Sequence, residues 1–213
     1  MTTKRYPAVF KFRGGHVALD FCNTVHWRRK PDYIELLTDY GRLVDWALQA
    51  GVVSRTEAGA LRGLARRQRR RAEAVRRQAV AVRDALHRLL AAHAAGVRPA
   101  SQDRATVSRA LAQAGAQAEL RPTPVGYAFI IPTTDLSAIL WRVVLAARPL
   151  VAGPELARVG QCQDPRGCGW LFLDTTRNHS RRWCSMSDCG SLDKARRYYH
   201  RRIASSLAQA ASD

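Results

Sequence analysis

The chain has 213 residues, of which 46% are hydrophobic, and it carries 35 basic against 17 acidic residues. This length allows one sizeable core, or a larger domain with a small module, and no apolar run approaches the ~20 residues that span a bilayer. The formal net charge of +18 favours a polyanionic partner, nucleic acid ahead of an anionic membrane. The N-terminus lacks the features of a secretory signal, so we expect a cytoplasmic protein that has reduced thiols and does not reside in a membrane.

The first half of the chain is predicted to hold two short strands followed by helices. Residues 6–12 and 16–21 have strand-like composition on either side of a Gly-Gly turn. A helix is predicted over 39–50, where apolar residues recur at helical spacing. A capping-box sequence and one sustained apolar face then predict a single long helix over 54–93.

The second half is predicted to place helices on either side of a β-hairpin. The helices are expected over 105–115 and 135–148. The strands of an antiparallel hairpin are expected over 117–121 and 127–131, since a Pro- and Gly-containing loop joins them. Residues 149–154 are interpreted as a linker to a compact C-terminal module.

Four of the five cysteines form two closely spaced pairs in that module: Cys162, Cys168, Cys184 and Cys189. Four thiolates at ~2.3 Å satisfy the tetrahedral preference of zinc and leave no open position for a catalytic water. An iron–sulfur cluster is the alternative, although its cysteines are usually spaced more tightly. The pattern therefore predicts one structural zinc ion. The fifth cysteine, Cys22, lies in an apolar context and is interpreted as a small buried hydrophobe.

A basic helix is predicted directly after the last cysteine pair, over 191–210. Lys194, Arg197 and Arg201 fall on one face at spacings of three and four. This single-signed ridge favours contact with phosphate, and a merely solvated helix face is the alternative. Apolar residues on the opposite side are predicted to pack on the zinc module: Leu192, Ala195, Tyr199, Ile203 and Leu207.

Three more arginines join the candidate nucleic-acid surface: Arg181, Arg182 and Arg196. The first two directly precede a zinc ligand, so they could instead help to neutralise the thiolates. A further basic run over 66–71 fits a solvated helix face and a second phosphate-binding surface equally well.

A group of polar residues near the N-terminus is a candidate small-molecule pocket: His16, Asp20, Asn23 and His26. They cluster in sequence at the end of a predicted strand, where polar side chains can converge on a ligand. The alternative is that Asp20 and Asn23 cap or brace a turn.

The cysteine module resembles the CGNR zinc-finger proteins, whose N-terminal part is the ABATE domain and which are predicted to be stress-induced transcription regulators. The matching residues are Cys162, Cys168, Leu171-Phe172-Leu173-Asp174, Arg181-Arg182-Trp183-Cys184-Ser185-Met186, Cys189-Gly190 and Lys194-Ala195-Arg196-Arg197-Tyr198. Near the N-terminus, Leu19-Asp20-Phe21-Cys22-Asn23-Thr24 and Leu43-Val44-Asp45-Trp46-Ala47 also resemble the family. The namesake Asn-Arg pair is replaced by Ser191-Leu192, which removes one cation at the helix start.

These patterns predict an α+β fold in two parts. A mostly helical, ABATE-like domain with a small antiparallel hairpin is expected over 1–152, followed over 156–210 by the four-cysteine zinc finger and its basic helix. The resemblance implies a zinc-binding, DNA-binding regulator that responds to a ligand or to stress through its N-terminal domain. The alternatives are an RNA-binding protein, or a thiol, zinc or small-molecule sensor acting through protein contacts. No catalytic motif occurs, so we expect no enzyme; a homo-oligomer fits all three readings.

Overall fold

The computed structural model describes residues 10–196, 198, 199 and 202. Helices dominate this part of the chain: α1 Val17–Cys22, α2 Tyr40–Gln49, α3 Arg55–Arg67, α4 Arg69–Ala94, α5 Ser101–Ala116 and α6 Ala138–Ala152. Short antiparallel pairs connect them: β1 Val25–His26 with β2 Ile34–Glu35, β3 Glu119–Thr123 with β4 Gly126–Ile130, and β5 Val159–Gln161 with β6 Leu171–Leu173. A C-terminal helical segment begins at Ser191. The predicted fold class is therefore confirmed.

The first predicted strands are wrong. Residues 17–22 form helix α1, and residues 10–12 are not in a strand; residues 6–9 lie outside the described residues. His16 caps α1 by accepting a hydrogen bond from the Ala18 N–H at 3.1 Å. Every residue from Ala18 to Cys22 is buried. A short apolar run that is buried on all sides has the same composition in a helix and in a strand, so its pattern did not distinguish them.

The single long helix predicted over 54–93 is two helices. The capping box at its start is confirmed, because Ser54 Oγ accepts from the Glu57 N–H at 3.2 Å and the Glu57 carboxylate accepts from the Ser54 N–H at 2.8 Å. At Gln68 the backbone leaves the helical region, with φ −125° and ψ 53°. The apolar face continues across the break, since Leu61 on α3 and Val75 on α4 are both buried, and periodicity alone did not reveal it.

The remaining boundaries shift by about one turn. Helix α5 begins at Ser101, and the hairpin turn is shorter than predicted because β3 and β4 extend to Thr123 and Gly126. Helix α6 runs through Pro149 to Ala152, so most of the predicted linker is helical. Pro149 stands in the last turn, and the fully buried Leu150 holds that turn against the core.

The C-terminal zinc module shares a hydrophobic cluster with the helical N-terminal domain. Leu19 of α1 and Leu86 and Leu90 of α4 belong to the same buried cluster as Val159 and Leu171 of the β5–β6 hairpin. The C-terminal module therefore packs directly on the helices. Among the described residues, none of the helices has both the length and the hydropathy needed to cross a membrane.

Candidate metal centre

Four buried thiols meet in the C-terminal module, as the sequence predicted. The Sγ atoms of Cys162, Cys168, Cys184 and Cys189 all lie within 4.8 Å of one another. The Cys168–Cys184 and Cys184–Cys189 sulfur distances are both 3.7 Å. A tetrahedron with zinc–sulfur bonds of ~2.3 Å has edges of about 3.8 Å. The donor set and its spacing therefore fit a single zinc ion.

Local backbone geometry brings the thiols together. Cys162 directly follows β5 and donates its N–H to the Trp170 carbonyl at 2.7 Å, which closes the β5–β6 hairpin. Gly167 and Gly169 flank Cys168 with φ of 96° and 68°, values that residues other than glycine rarely adopt. Cys189 sits in a π-helical turn, Met186–Gly190, which leads straight into the C-terminal helical segment.

The electrostatics of the thiol cluster call for a cation. Hydrogen bonds from the other three thiols lower the pKa of Cys162, whereas hydrogen bonding to Cys162 raises the pKa values of Cys168, Cys184 and Cys189. Packed thiolates repel each other, so all four ionise together only when a metal ion compensates their charge. Four thiolate ligands then make the zinc a structural clamp with no open coordination position.

The segment after β1 lies directly on the loop that carries Cys168. The Arg28 and Arg29 N–H groups donate to the Cys168 and Gly167 carbonyls at 3.2 and 3.0 Å. A Cβ atom at Gly169 would stand only 2.8 Å from Arg29 Cγ, so this glycine allows the close approach. The imidazole of His87, on α4, bonds the Gly169 carbonyl at 2.9 Å. Residues of the N-terminal domain thus hold this metal loop.

The four predicted pocket residues make separate contacts with the rest of the protein. His16 caps α1, and Asp20 Oδ1 accepts from the Gly14 N–H at 2.7 Å. Asn23 bonds the backbone of Leu171, and the His26 ring stacks on Trp170 with centroids 5.3 Å apart. Asp20 thus holds the turn before α1, as the turn-bracing alternative expects, and Asn23 holds the neighbouring strand β6. Cys22 is buried as predicted, and this burial raises the pKa of its thiol to about 12.

The side chain of Arg181 holds the metal module together through hydrogen bonds to its backbone. Its guanidinium donates to the carbonyls of Leu173, Trp183 and Cys184 at 3.1, 3.0 and 2.6 Å and lies over the Phe172 ring at 4.4 Å. These bonds leave few of its donors for a phosphate group. Its position beside a zinc ligand agrees with the alternative role in neutralising thiolate charge.

The remaining candidate cations are more accessible. Arg182 is exposed and donates to Gln163 Oε1 at 2.9 Å, and Lys194 and Arg196 are exposed on the C-terminal helical segment. Arg197 and Arg201 lie outside the described residues.

The apolar face of the C-terminal helical segment does not pack on the zinc module. Leu192 and Tyr199 are 48% and 69% exposed, and Ala195 is exposed as well, so this prediction is wrong for the described residues. Ile203 and Leu207 lie outside them. The physical reason is that the apolar side chains of the module, Trp170 and Phe172, are already buried in one cluster with the four cysteines.

A buried ion-pair network lies beside the metal loop, and the sequence patterns did not predict it. The Arg83 guanidinium, whose side chain is 1% exposed, donates to both Glu35 carboxylate oxygens at 2.7 Å. Arg28 pairs with Asp84 at 2.8 Å. His87 lies one turn after Arg83, and its burial lowers its pKa to about 3. The available signal was a pair of polar residues, four apart, beside the apolar face of helix α4.

The basic run over 66–71 flanks the break between α3 and α4. Arg66, Arg67, Arg69 and Arg70 are exposed. Arg71 forms an ion pair with Asp135. The run is therefore not one continuous helical face, and both of its predicted roles stay open.

The fold and the thiol centre together define a zinc-finger protein with a helical N-terminal domain. The family model ABATE, described as "Putative stress-induced transcription regulator", matches residues 15–154, and the model described as "CGNR zinc finger" matches residues 158–202. Because the first match spans well over half of the chain, this protein belongs to the ABATE family, and the CGNR zinc finger follows that domain. No curated protein matches the chain significantly.

Proposed function

We propose that this protein is a zinc-stabilised, DNA-binding transcription regulator that acts by binding rather than by catalysis. The observation that carries the proposal is an exposed basic helical segment emerging directly from the turn that holds Cys189. Residues 158–202 contain ten basic against four acidic residues. Four thiolates and one divalent cation contribute a net charge of about −2, so this region stays positive when zinc is bound.

Exposed side chains on this segment support contact with a nucleic acid. Lys194 is exposed and forms no ion pair with any residue that the structure describes. Tyr198 and Tyr199 are 56% and 69% exposed. Cations position a protein on the phosphate backbone, whereas exposed aromatic rings can stack on unpaired bases. The tyrosines therefore make a single-stranded RNA the second candidate partner.

Contacts across the two halves support a regulated finger. The metal loop is held by Arg28, Arg29 and His87, all of which belong to the N-terminal half. A ligand or stress signal that shifts these contacts would alter the loop around Cys168 and the helical segment that follows the cluster. We therefore propose that the N-terminal domain senses the signal and the finger binds the nucleic acid.

The test is a selection of bound sequences from random duplex DNA and random single-stranded RNA pools with the zinc-loaded protein. Affinity for the selected sequences is then measured by fluorescence anisotropy over a range of salt concentrations. We expect a double variant, Lys194→Ala with Arg196→Ala, to reduce the log–log salt slope by about 1.8, since each phosphate contact contributes ~0.9.

A charge-matched variant, Arg98→Ala with Arg109→Ala, removes two exposed cations far along the sequence from the finger. It is expected to leave the slope nearly unchanged. Equal losses in both double variants would mean that net charge alone drives binding, and would contradict an interface on the finger. A preference for the RNA pool would favour the second candidate, and a lack of binding to either pool at low salt rejects both.

A further inference from the structure

The β3–β4 hairpin has one face made entirely of apolar side chains. Its register pairs Leu120 with Phe129 and Pro122 with Tyr127. Directly paired residues point to the same side of a sheet, and so do residues two apart on one strand. These four side chains therefore share one face of the hairpin.

That apolar face is exposed. Leu120, Tyr127 and Phe129 are 59%, 74% and 72% exposed, and Val125 at the turn is 97% exposed. An aromatic side chain buries about 150–250 Å² in a core or interface, so the two rings leave roughly 200–350 Å² uncovered. The largest contiguous apolar patch on a typical monomer covers about 300–600 Å² and is often functional, and Leu120, Pro122 and Val125 add to the area of the two rings.

The rest of the chain gives the hairpin little support. Its strands contact each other, and no other helix or strand of the described residues makes more than marginal contact with them. The opposite face is mixed, with an ion pair between Glu119 and Arg121 at 2.6 Å beside Ala128 and Ile130. An isolated two-stranded hairpin is at best marginally stable in water, and an amphipathic one normally buries its apolar face. In this structure, the apolar face of the hairpin is thus exposed to solvent, although such a face is normally buried.

We propose that a second copy of this chain covers it, with the apolar faces of two hairpins packed together about a twofold axis. In such a contact each residue occurs once in each copy, so the interface contains four aromatic rings. These rings alone contribute roughly 400–700 Å² of the 1,200–2,000 Å² that is typical of a stable interface. Leu120, Pro122 and Val125 from both copies add to this area.

The charge distribution favours a second copy over a polyanion at this face. The chain carries a net charge of +18, but the apolar face contains no charged residue. Two copies can therefore approach there without placing like charges in contact, and a nucleic acid finds no cation to pair with. Pro122 lacks an N–H group and interrupts the hydrogen-bonding edge of β3, which disfavours open-ended edge-to-edge assembly and leaves a closed dimer.

A dimer would also present two zinc fingers to a nucleic acid. Paired binding modules recognise two half-sites whose spacing follows the protein symmetry. This consequence rests on the proposed function, whereas the dimer itself does not. The two ideas can fail separately because the oligomeric state is measured without nucleic acid.

The test is the molar mass of the zinc-loaded protein by light scattering after size exclusion, confirmed by sedimentation equilibrium. We expect twice the 23.7 kDa chain mass in the wild type. The double variant Tyr127→Ser with Phe129→Ser is expected to be monomeric, with a dissociation constant at least about 100-fold higher, because buried aromatic anchors dominate such interfaces. Tyr33→Ser is the matched control, since Tyr33 is also an exposed aromatic residue, at 55%.

Each of the following outcomes either supports or overturns a dimer through the β3–β4 hairpin. A dimeric wild type and control with a monomeric double variant support the hairpin interface. A monomeric wild type at about 100 µM, well above the dissociation constants of standard interfaces, overturns the dimer. A double variant that stays dimeric moves the interface away from the hairpin and overturns the proposal. Zinc content and circular dichroism of the variants establish that they are folded.

Discussion

Replacing Asn23 by Leu tests how strongly the two halves of the protein depend on one another. The side-chain amide of Asn23 donates to the Leu171 carbonyl at 2.8 Å and accepts from the Leu171 N–H at 2.8 Å. Asn23 is 2% exposed and Leu171 is fully buried. The amide therefore pairs with strand β6 as a neighbouring strand would, and it joins the end of α1 to the metal module.

Leucine has a similar volume but no polar atoms, so Asn23→Leu leaves two buried backbone groups of Leu171 without partners. Each such group costs about 1–3 kcal/mol, which gives an expected loss of about 2–6 kcal/mol in the free energy of unfolding. Whole domains are stable by only about 5–15 kcal/mol. We therefore expect a large drop in the urea midpoint and faster transfer of zinc to a chelator.

The assay is urea unfolding of the zinc-loaded protein, followed by tryptophan fluorescence and by release of zinc to a colorimetric chelator. Asn178→Leu is the matched control, because Asn178 is exposed in the metal module and should tolerate the change. A loss below about 1 kcal/mol for Asn23→Leu would refute the reasoning, since it would mean that the Leu171 backbone groups find other partners.

Three further predictions concern the metal and the buried network. Cys184→Ala should abolish stoichiometric zinc binding and lower the melting temperature, whereas Cys22→Ala should retain one zinc per chain by metal analysis. Burial lowers the pKa of His87 to about 3 from 6.5, so the unfolded chain binds a proton that the folded chain excludes, and stability falls as pH drops through this window. The loss from this group between pH 6.5 and about pH 5 is about 2 kcal/mol, and His87→Gln should remove it. Glu35→Gln should cost about 1.5–3 kcal/mol in urea unfolding because it withdraws one of the two carboxylates that pair with the buried Arg83 guanidinium and leaves only Asp84.

Each of these has an outcome that contradicts it. Full zinc occupancy in Cys184→Ala rejects the four-thiol site. Zinc loss at low pH affects wild type and His87→Gln alike, so an identical pH dependence in the two proteins rejects the role of His87. If the double variant Glu35→Leu with Arg83→Met is no more stable than Glu35→Gln alone, then the lost pairing of the buried Arg83 charge is not the cause of the loss.

Local sequence signals predicted some elements well and others poorly. Helix α2 and the start of α3 follow from apolar spacing and from capping side chains, which act within a few residues. The strand predicted over 16–21 and the unbroken helix through Gln68 were wrong, because burial and packing decided both cases. The exposed position of Leu192 was not predicted for the same reason, since the apolar side chains of the module pack with one another.

The residues of the candidate metal site also fall into two groups, those that local sequence signals predicted and those that they did not. Ligand type and spacing alone predicted the four thiols of the metal centre, because two short turns suffice to bring them together. The residues that hold this centre in place could not be predicted locally. Asn23 bonds a strand 148 positions away, and His87 bonds the Gly169 carbonyl 82 positions away.

The amino-acid sequence by itself thus determined the zinc ligands, the charge of the chain and most of its helices, since each depends on residue chemistry within a few positions. Only the tertiary structure decided which polar groups became braces, which arginine was buried with Glu35, and which apolar face stayed outside at the β3–β4 hairpin. The physical reason is that these outcomes depend on which surfaces meet when the chain folds. A buried polar group requires a partner wherever the fold supplies one, and an apolar face is covered only if another surface reaches it.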